Sequence, residues 1–316
     1  MIKVNLVGVG GISGCHIPAW ERIEGAELTA LCDIDGSKLE KYPDKRGYTD
    51  FAEMLETEKP DLVDICTPTY THVELALAAL EKGIHVLCEK PLSLKAEDAD
   101  RIYDAAERNH VKFMVAQVVR FWREYDVLKQ LYDTKKYGDL VTMSMWRLSG
   151  IPLWSTDHWM EDETRSGLTP FDMHIHDLDY CVYAFGKPNA VTRHRQKLPH
   201  QDTIDGTYVY DDFYIHIETA WYEAQYPFNA GYRAQFETAV LELSNDRFFL
   251  CEQDGTVVDL TEEQAAERKL TLLPTNAYEN EIRYFFSCVA EDRPVEKIRR
   301  EEVRAVLELA SGYREC

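Results

Sequence analysis

The sequence predicts an α/β protein in two parts: an N-terminal doubly wound parallel sheet, then an α+β domain with a large, open, mainly antiparallel sheet. Three observations carry that prediction. Up to about residue 118, short apolar runs closed by Gly or Pro alternate with helix-spaced segments, the order of a parallel sheet built from strand–helix units. The first of those runs opens directly into a glycine-rich turn. Past residue 118 the runs become rich in Val, Tyr, Phe and Thr, and alternate apolar with polar residues as half-buried antiparallel strands do.

A chain of 316 residues exceeds the roughly 250–300 that one hydrophobic core serves. Two domains are therefore expected, 1–118 and 119–316, with the C-terminal helix free to pack back on the first. A formal net charge of -21, with no long Lys/Arg run, argues against nucleic acid and anionic membranes as partners. None of the eight cysteines forms a CxxC pair and several lie inside apolar runs, the pattern of reduced core thiols. The N-terminus shows no charged leader and the sequence no long apolar span, so the expected setting is the cytoplasm.

Ile2 to Val7 is the first strand, and it runs into Gly8-Val9-Gly10-Gly11-Ile12-Ser13. Gly8 makes the tight turn, Gly10 leaves room for a pyrophosphate, and Ser13 is small enough for the helix-packing position. A helix starting there aims its N-terminal amides at phosphates, and Pro18 inside it predicts a kink or a late start. Glu27 to Cys32 is the second strand. Asp33 follows at the spacing where a carboxylate accepts the adenosine ribose hydroxyls and repels a 2′-phosphate. NAD is therefore expected, and NADP stays open because Lys38 stands nearby. Asp35 reads as a helix cap.

Asp61 to Cys66 is a buried strand closed by Thr67-Pro68, and Thr71 to Glu74 has the spacing of a capping box. The helix behind it carries Val73, Ala76, Leu77 and Leu80 on one face and stops at Gly83. Ile84 to Cys88 is the next buried strand, which leaves Lys90 just past its carboxyl end, the edge where such sheets bind ligands. Pro91 keeps Lys90 out of the helical region. A helix from about Lys95 to Arg108 and a strand from Lys112 to Ala116 follow.

A helix from Phe121 to Lys136 opens the second domain and leads into a strand from Leu140 to Leu148. Thr207–Tyr210, Phe213–Tyr222, Tyr232–Leu243 and Arg247–Leu250 read as further antiparallel strands; in the second of these Phe213, Ile215, Ile217 and Trp221 share a face opposite His216 and Glu218. Helical spacing returns with Ile282, Phe285, Phe286 and Val289, then with Val303, Val306, Leu307 and Ala310. Residues 166–179 concentrate ionisable groups in an apolar setting. A helix from Thr169-Pro170 would line up Asp172, His176 and Asp179 on one stripe, with His174 off it. A carboxylate one turn from an imidazole orients it and raises its basicity, as a general base requires. Two other readings stay open here: a divalent-metal site, although the spacing is no zinc motif, and a histidine satisfied within the core.

Taken together, GVGGISGCH at 8–16, LCDID at 31–35, VDICTPTYTHVELALAALEKGIHVLCEKPLS at 63–93, VRF at 119–121 and DMHIHDLD at 172–179 resemble the glucose-fructose oxidoreductase / inositol dehydrogenase / MocA family. The resemblance runs over nearly the whole chain, and the TP, His and EKP combination is far more specific than the glycine turn. It implies an N-terminal Rossmann domain and a C-terminal α+β domain whose open sheet makes homodimer or homotetramer contacts. By motif position it implies that Lys90 is the active-site lysine and that Asp172 and His176 are the acid and histidine of the inositol dehydrogenase type. Thr67, Pro68, His72 and Glu89 would line the nicotinamide side, with a cis Lys90-Pro91 bond. Gly8, Gly10, Gly11, Ile12, Ser13, Asp33, Lys90 and Gln117 complete the expected cofactor set, and no metal is expected. Two residues depart from the family pattern: Ser13 replaces the third Gly, and His174 replaces a small residue, leaving a second imidazole near the chemistry.

The expected function is reversible oxidation of a secondary alcohol on a sugar, inositol or other polyol. His176, oriented by Asp172, takes the hydroxyl proton, the carbinol hydride goes to the nicotinamide, and Lys90 donates a hydrogen bond to the substrate oxygen. Arg120 is a candidate for sugar hydroxyls and Trp154 and Trp159 for an apolar wall, with interdomain packing as their alternative role. A redox glycosidase that retains NAD and a regulator that binds dinucleotide without turnover remain as rival readings.

Overall fold

A computed structural model describes residues 1–244 and 247–315. The chain divides into two compact units, Met1–Val118 with Asn276–Leu307, and Val119–Thr275 with Glu308 onward. The stretch from Asn276 to Leu307 clusters with the first unit, so more of the C-terminal region than one helix joins it.

In the first unit the strands are β1 (Ile2–Val7), β2 (Ala26–Cys32), β3 (Arg46–Tyr48), β4 (Leu62–Ile65), β5 (His85–Glu89) and β6 (Phe113–Ala116). Between them lie α1 (Ser13–Glu21), α2 (Phe51–Glu58), α3 (His72–Leu80) and α4 (Ala96–Arg108). The sheet order is β3-β2-β1-β4-β5-β6, parallel throughout. Every residue of β4 and β6 is buried, because helices cover both faces of a parallel sheet. The order reverses between β1 and β4, so the loops beyond their carboxyl ends flank the crevice where such sheets take ligands.

Three local expectations change. α1 begins at Ser13 and carries Pro18 in its interior, so the late start is not found. Asp35 does cap, accepting from the Ser37 N–H, but the element it caps is a 3-10 turn over Gly36–Lys41. Thr71 makes no capping box: its hydroxyl lies 2.8 Å from the Pro68 carbonyl and 2.7 Å from Thr67 Oγ1, because a 3-10 turn over Thr69–Thr71 leads into α3.

The second unit contains α5 (Arg123–Thr134), β7 (Leu140–Gly150), α6 (Glu163–Ser166), α7 (Ile175–Phe185), β8 (Ala190–Leu198), β9 (Gln201–Val209), β10 (Tyr214–Tyr222), β11 (Asn229–Phe236), β12 (Ala239–Ser244), β13 (Arg247–Glu252), β14 (Val257–Asp259) and α8 (Glu262–Glu267). Its sheet order is β14-β13-β12-β11-β7-β10-β9-β8. All neighbours are antiparallel except β7 and β10. That exception follows from topology: β10 and β11 run in opposite directions, and β7 lies between them, so it is parallel to one.

The single run read over Tyr232–Leu243 is a hairpin. Glu237 and Thr238 donate their N–H groups to the Asp139 and Tyr137 carbonyls rather than to a strand, which ends β11 before β12 begins. β10 keeps its expected faces, with Ile215, Ile217 and Trp221 buried.

After α8 the chain returns to the first unit with α9 (Ala277–Ala290), whose Phe286 meets Trp20 of α1 edge to face at 6.5 Å between ring centres. α10 (Arg300–Ser311) follows. Among the described residues, no helix is long and apolar enough to cross a membrane.

Candidate active site

The glycine turn of the first unit is built by close approach. Gly8 has φ +94°, and a Cβ there would lie 2.5 Å from the Cys66 carbonyl oxygen, so the edges of β1 and β4 meet only over glycine. Gly10 and Gly11 are different: a Cβ on either would meet nothing within 4 Å. No protein atom crowds them, so the backbone of this turn is open to a group from outside. Ser13, in place of the third glycine, is buried and donates its hydroxyl to the Gly10 carbonyl at 2.7 Å, bracing the turn. Ile12, at the N-cap of α1, offers no side-chain acceptor to the helix amides, so the positive end of the dipole is available to an anion.

Asp33, just past β2, accepts the Val9 N–H at 2.8 Å and the Asp35 N–H at 2.9 Å. The Lys38 ammonium lies 3.1 Å from both of its oxygens. The expected ribose acceptor is therefore tied to the glycine turn and shared with a cation. Gln117 ends the row on the far side of the sheet, just beyond β6; it is buried, and its side-chain Oε1 has no hydrogen-bond partner. An orphaned acceptor of this kind needs a donor the chain does not supply. Open glycines, an uncapped helix and an orphaned acceptor at one sheet edge fit a dinucleotide.

Lys90 follows β5 directly, half-buried, with its N–H donated to Glu89 Oε2 at 3.1 Å and a cis bond to Pro91. His72 laces the neighbouring loops: its ring nitrogens lie 2.8 Å from the carbonyls of Pro91 and Thr67. Burial holds its pKa below the usual histidine value, against the pull of those two carbonyls. His72 and Glu89 thus spend their polar atoms inside the protein, on the loops around Lys90 and on His16.

Sequence reasoning attached no role to His16 or Asp64. His16, fully buried in the first turn of α1, places Nδ1 2.8 Å from Asp64 Oδ2 and Nε2 2.9 Å from Glu89 Oε1. Trp20 also donates to Asp64 Oδ2, at 2.7 Å. Burial alone would lower the His16 pKa, but the charges and hydrogen bonds of Asp64 and Cys66 outweigh it and hold the value well above normal. A carboxylate in the middle of the otherwise apolar β4 was the available signal, since a buried acid requires a buried partner. Among the described residues, His16, Asp64 and Cys66 are the one group of three or more His, Cys, Asp or Glu side chains that brings its metal-ligand atoms within 4.8 Å of one another. Both His16 nitrogens are already bonded to carboxylates, which makes the cluster an ion-pair network.

In the second unit, residues Pro170–His174 form a π-helical turn that runs into α7. Asp172 and His176 are half-buried on this segment. The expected three-residue stripe breaks, because Asp179 is fully buried and grips Arg120 through two contacts, Nε to Oδ2 at 2.7 Å and Nη2 to Oδ1 at 2.6 Å. Arg120 is itself 1% exposed and stacks 4.7 Å over the Tyr183 ring. This corrects its assignment to substrate: a guanidinium consumed by a buried carboxylate and an aromatic face is a core brace. Asp177, next to His176, makes the same kind of fork with Arg147 of β7 at 3.0 and 2.7 Å.

The second imidazole finds its explanation here. His174 is fully buried, with Nδ1 2.7 Å from Thr219 Oγ1 on β10 and Nε2 2.6 Å from the Tyr208 hydroxyl on β9. Burial, aided by the charges of Arg147 and Arg193, pushes its pKa down to about 3, so it stays neutral and structural. Trp159 packs on the cluster of Met160, Leu168, Met173 and Trp221, whereas Trp154 is 73% exposed. A cavity of about 490 Å³ is lined by Leu168, Trp221, Lys197 and Glu163, among others, but by neither Asp172 nor His176.

Comparison with known proteins agrees with these features. Residues 2–117 match the family described as "Oxidoreductase family, NAD-binding Rossmann fold", and residues 125–247 match the GFO/IDH/MocA C-terminal domain. The chain is 38% identical over 191 residues to D-apiose dehydrogenase of Paraburkholderia graminis, covering 58% of this chain and 50% of that protein. It is 29% identical over 189 residues to glucose-6-phosphate 3-dehydrogenase of Bacillus subtilis, covering 58% and 54%. The aligned stretches thus span about half the length of these relatives. Levoglucosan dehydrogenase in complex with NADH and levoglucosan shares the fold, with a TM-score of 0.84 at 17% identity over 99% of this chain and 96% of that one. Two domain matches in succession, on a parallel sheet followed by a mainly antiparallel one, establish that this chain belongs to the Gfo/Idh/MocA family of NAD-binding oxidoreductases.

Proposed function

We propose that this protein is an NAD-dependent dehydrogenase acting on a secondary alcohol of a sugar, inositol or other polyol. The observation that carries the reading is the edge of the first sheet, where open glycines, the tethered Asp33 and the orphaned Gln117 acceptor share the carboxyl ends of the strands with Lys90. Gly10, Gly11 and the amides of α1 would hold the pyrophosphate, Asp33 the adenosine ribose, and Gln117 a donor at the nicotinamide end. NAD, when bound, supplies the acceptor for the carbinol hydride.

The chain's own residues handle the proton and the oxygen. His176 accepts the hydroxyl proton on its imidazole, and Asp172, four residues earlier, orients that ring. Lys90 donates a hydrogen bond to the oxygen as negative charge grows on it, and releases it as the carbonyl forms. General-base help of this kind is worth about 10² to 10⁴ in rate. The sugar or polyol class is supported by the names of the relatives, which include apiose, glucose 6-phosphate and inositol dehydrogenases.

The test is the near-ultraviolet absorbance of reduced nicotinamide with NAD or NADP and a panel of inositols, aldoses, deoxy sugars and glycosides. Turnover is expected with NAD and one polyol class, and Lys90→Met and His176→Ala should abolish it while leaving NAD binding intact. Full turnover in either variant would remove that residue from the mechanism. A homodimer or homotetramer is the accompanying assembly reading, supported by Val141, Val209 and Tyr214 standing exposed on the eight-stranded sheet of the second unit; sedimentation tests it. Seven free thiols among the described residues support a reducing, cytoplasmic setting.

A further inference from the structure

Three buried side chains from three elements meet at the carboxyl edge of the first sheet. His16 comes from the first turn of α1, Asp64 from β4, and Glu89 is the last residue of β5. Their separations are hydrogen-bonding distances, 2.8 Å from Nδ1 to Asp64 and 2.9 Å from Nε2 to Glu89. Carboxylate oxygens accept, so a ring that bonds one on each side must donate from both nitrogens. The ring is therefore a cation clamped between two anions, all three almost wholly removed from water. Trp20 Nε1 takes up further capacity on Asp64, Cys66 Sγ lies 3.6 Å from Asp64 Oδ1, and the Tyr278 ring of α9 lies 6.0 Å from the imidazole.

The clamp leaves Glu89 one free direction. With Oε1 bound to His16, its Oε2 receives the N–H of Lys90, the first residue beyond the strand. The peptide plane of Lys90 is thereby fixed by a carboxylate that is itself fixed by His16. The same helix carries Ser13, whose hydroxyl braces Gly10. One imidazole therefore joins the turn that is open to a dinucleotide to the loop that carries the lysine.

We propose that His16 is a positioning residue: bonded at once to Asp64 and Glu89, it holds Glu89 against the Lys90 N–H and so sets where Lys90 stands relative to the glycine turn. It touches neither substrate nor cofactor in this role, which rests on the assignment of Lys90 to the reaction.

Two readouts on the complete protein without cofactor test the placement itself. In nitrogen-15 spectra the His16 ring should carry both protons at about pH 8, where an ordinary histidine is neutral. In His16→Asn, hydrogen exchange at the Lys90 amide should quicken by about tenfold, the scale of one charge-assisted hydrogen bond, while the Val86 amide of the same strand keeps its rate. With NAD and a turned-over substrate, the same variant should lose about tenfold in kcat, with KM and NAD affinity within about threefold. In a Glu89→Ala background His16→Asn should cost nothing more, because its effect runs through Glu89.

Unchanged Lys90 exchange in folded His16→Asn overturns the proposal, as does equal quickening at Val86, which would mark general loosening. Should His16→Asn fail to fold, His16→Gln takes its place: quickened Lys90 exchange with Val86 unchanged supports the proposal and an unchanged Lys90 rate overturns it. Absence of turnover with every substrate in wild-type protein would sink the dehydrogenase reading alone, because the exchange measurements stand without it.

Discussion

His174 makes the protein acid-sensitive in a calculable way. The folded protein refuses the His174 proton until about pH 3, whereas the unfolded chain takes one near the ordinary value of about 6.5. Between those limits the unfolded state binds more protons, so stability contributed by the neutral ring is complete above about pH 6.5 and drains as pH falls toward 3. Each pH unit within that window costs about 1.4 kcal/mol, up to about 5 kcal/mol in total, against a whole-protein stability of about 5–15 kcal/mol. Urea unfolding of wild type and His174→Gln between about pH 7 and about pH 4 reads this directly. The substituted carboxamide would keep one donor and one acceptor for Thr219 and Tyr208 but cannot titrate. The variant should be less stable at neutral pH yet lose less on acidification, so that the two curves converge by about 1.4 kcal/mol per pH unit below about pH 6. Parallel curves, or a folded-state His174 that titrates near the ordinary value of about 6.5, would refute the reasoning.

Other outcomes follow from the same structure. Gly10→Ala should leave the melting temperature unchanged and abolish NAD binding, since its Cβ meets no protein atom, whereas Gly8→Ala should damage folding itself, since its Cβ meets the Cys66 carbonyl; calorimetry and NAD titration separate the two. Arg120→Met should destabilise by about 3–5 kcal/mol by removing the guanidinium from the buried Asp179 carboxylate, with little change in KM for sugar in whatever fraction folds. The His16 pKa is raised, so its share of stability is complete below about pH 6.5 and is lost as pH climbs through the folded value; His16→Asn should flatten the alkaline limb of the stability profile.

The parallel sheet was legible in the sequence because strands buried on both faces are written as continuous apolar runs, as in Leu62–Ile65 and Phe113–Ala116. Strands with little buried surface left no such record. β3 has only Arg46, Gly47 and Tyr48, and β8 is an edge strand carrying Arg193, Arg195 and Lys197, the charges that discourage edge pairing. The second sheet's alternation could be read, but not its order or its parallel pair, because pairing between β7 and β10 is decided by where distant strands insert.

The candidate site was legible where the backbone dictates a residue type and obscure where a side chain's partner is far along the chain. Gly8 and Lys90 announce themselves through local constraint. Arg120 does not reveal that its guanidinium meets a carboxylate 59 residues later, nor His16 that its acids lie 48 and 73 residues away. Those distant pairs share one arrangement. Lys90 is preceded by Glu89, locked by His16; His176 is followed by Asp177, locked by Arg147, and stands two residues after His174, locked by Thr219 and Tyr208. Lys90 and His176 thus both have sequence neighbours whose polar atoms are consumed in the core. Buried ion pairs contribute little net stability, because desolvation offsets attraction, but breaking one is costly, so each backbone has one position available to it. Fixing the neighbours leaves the side chain beside them its rotamers and removes its backbone freedom, which is the preorganisation that a positioned functional group needs.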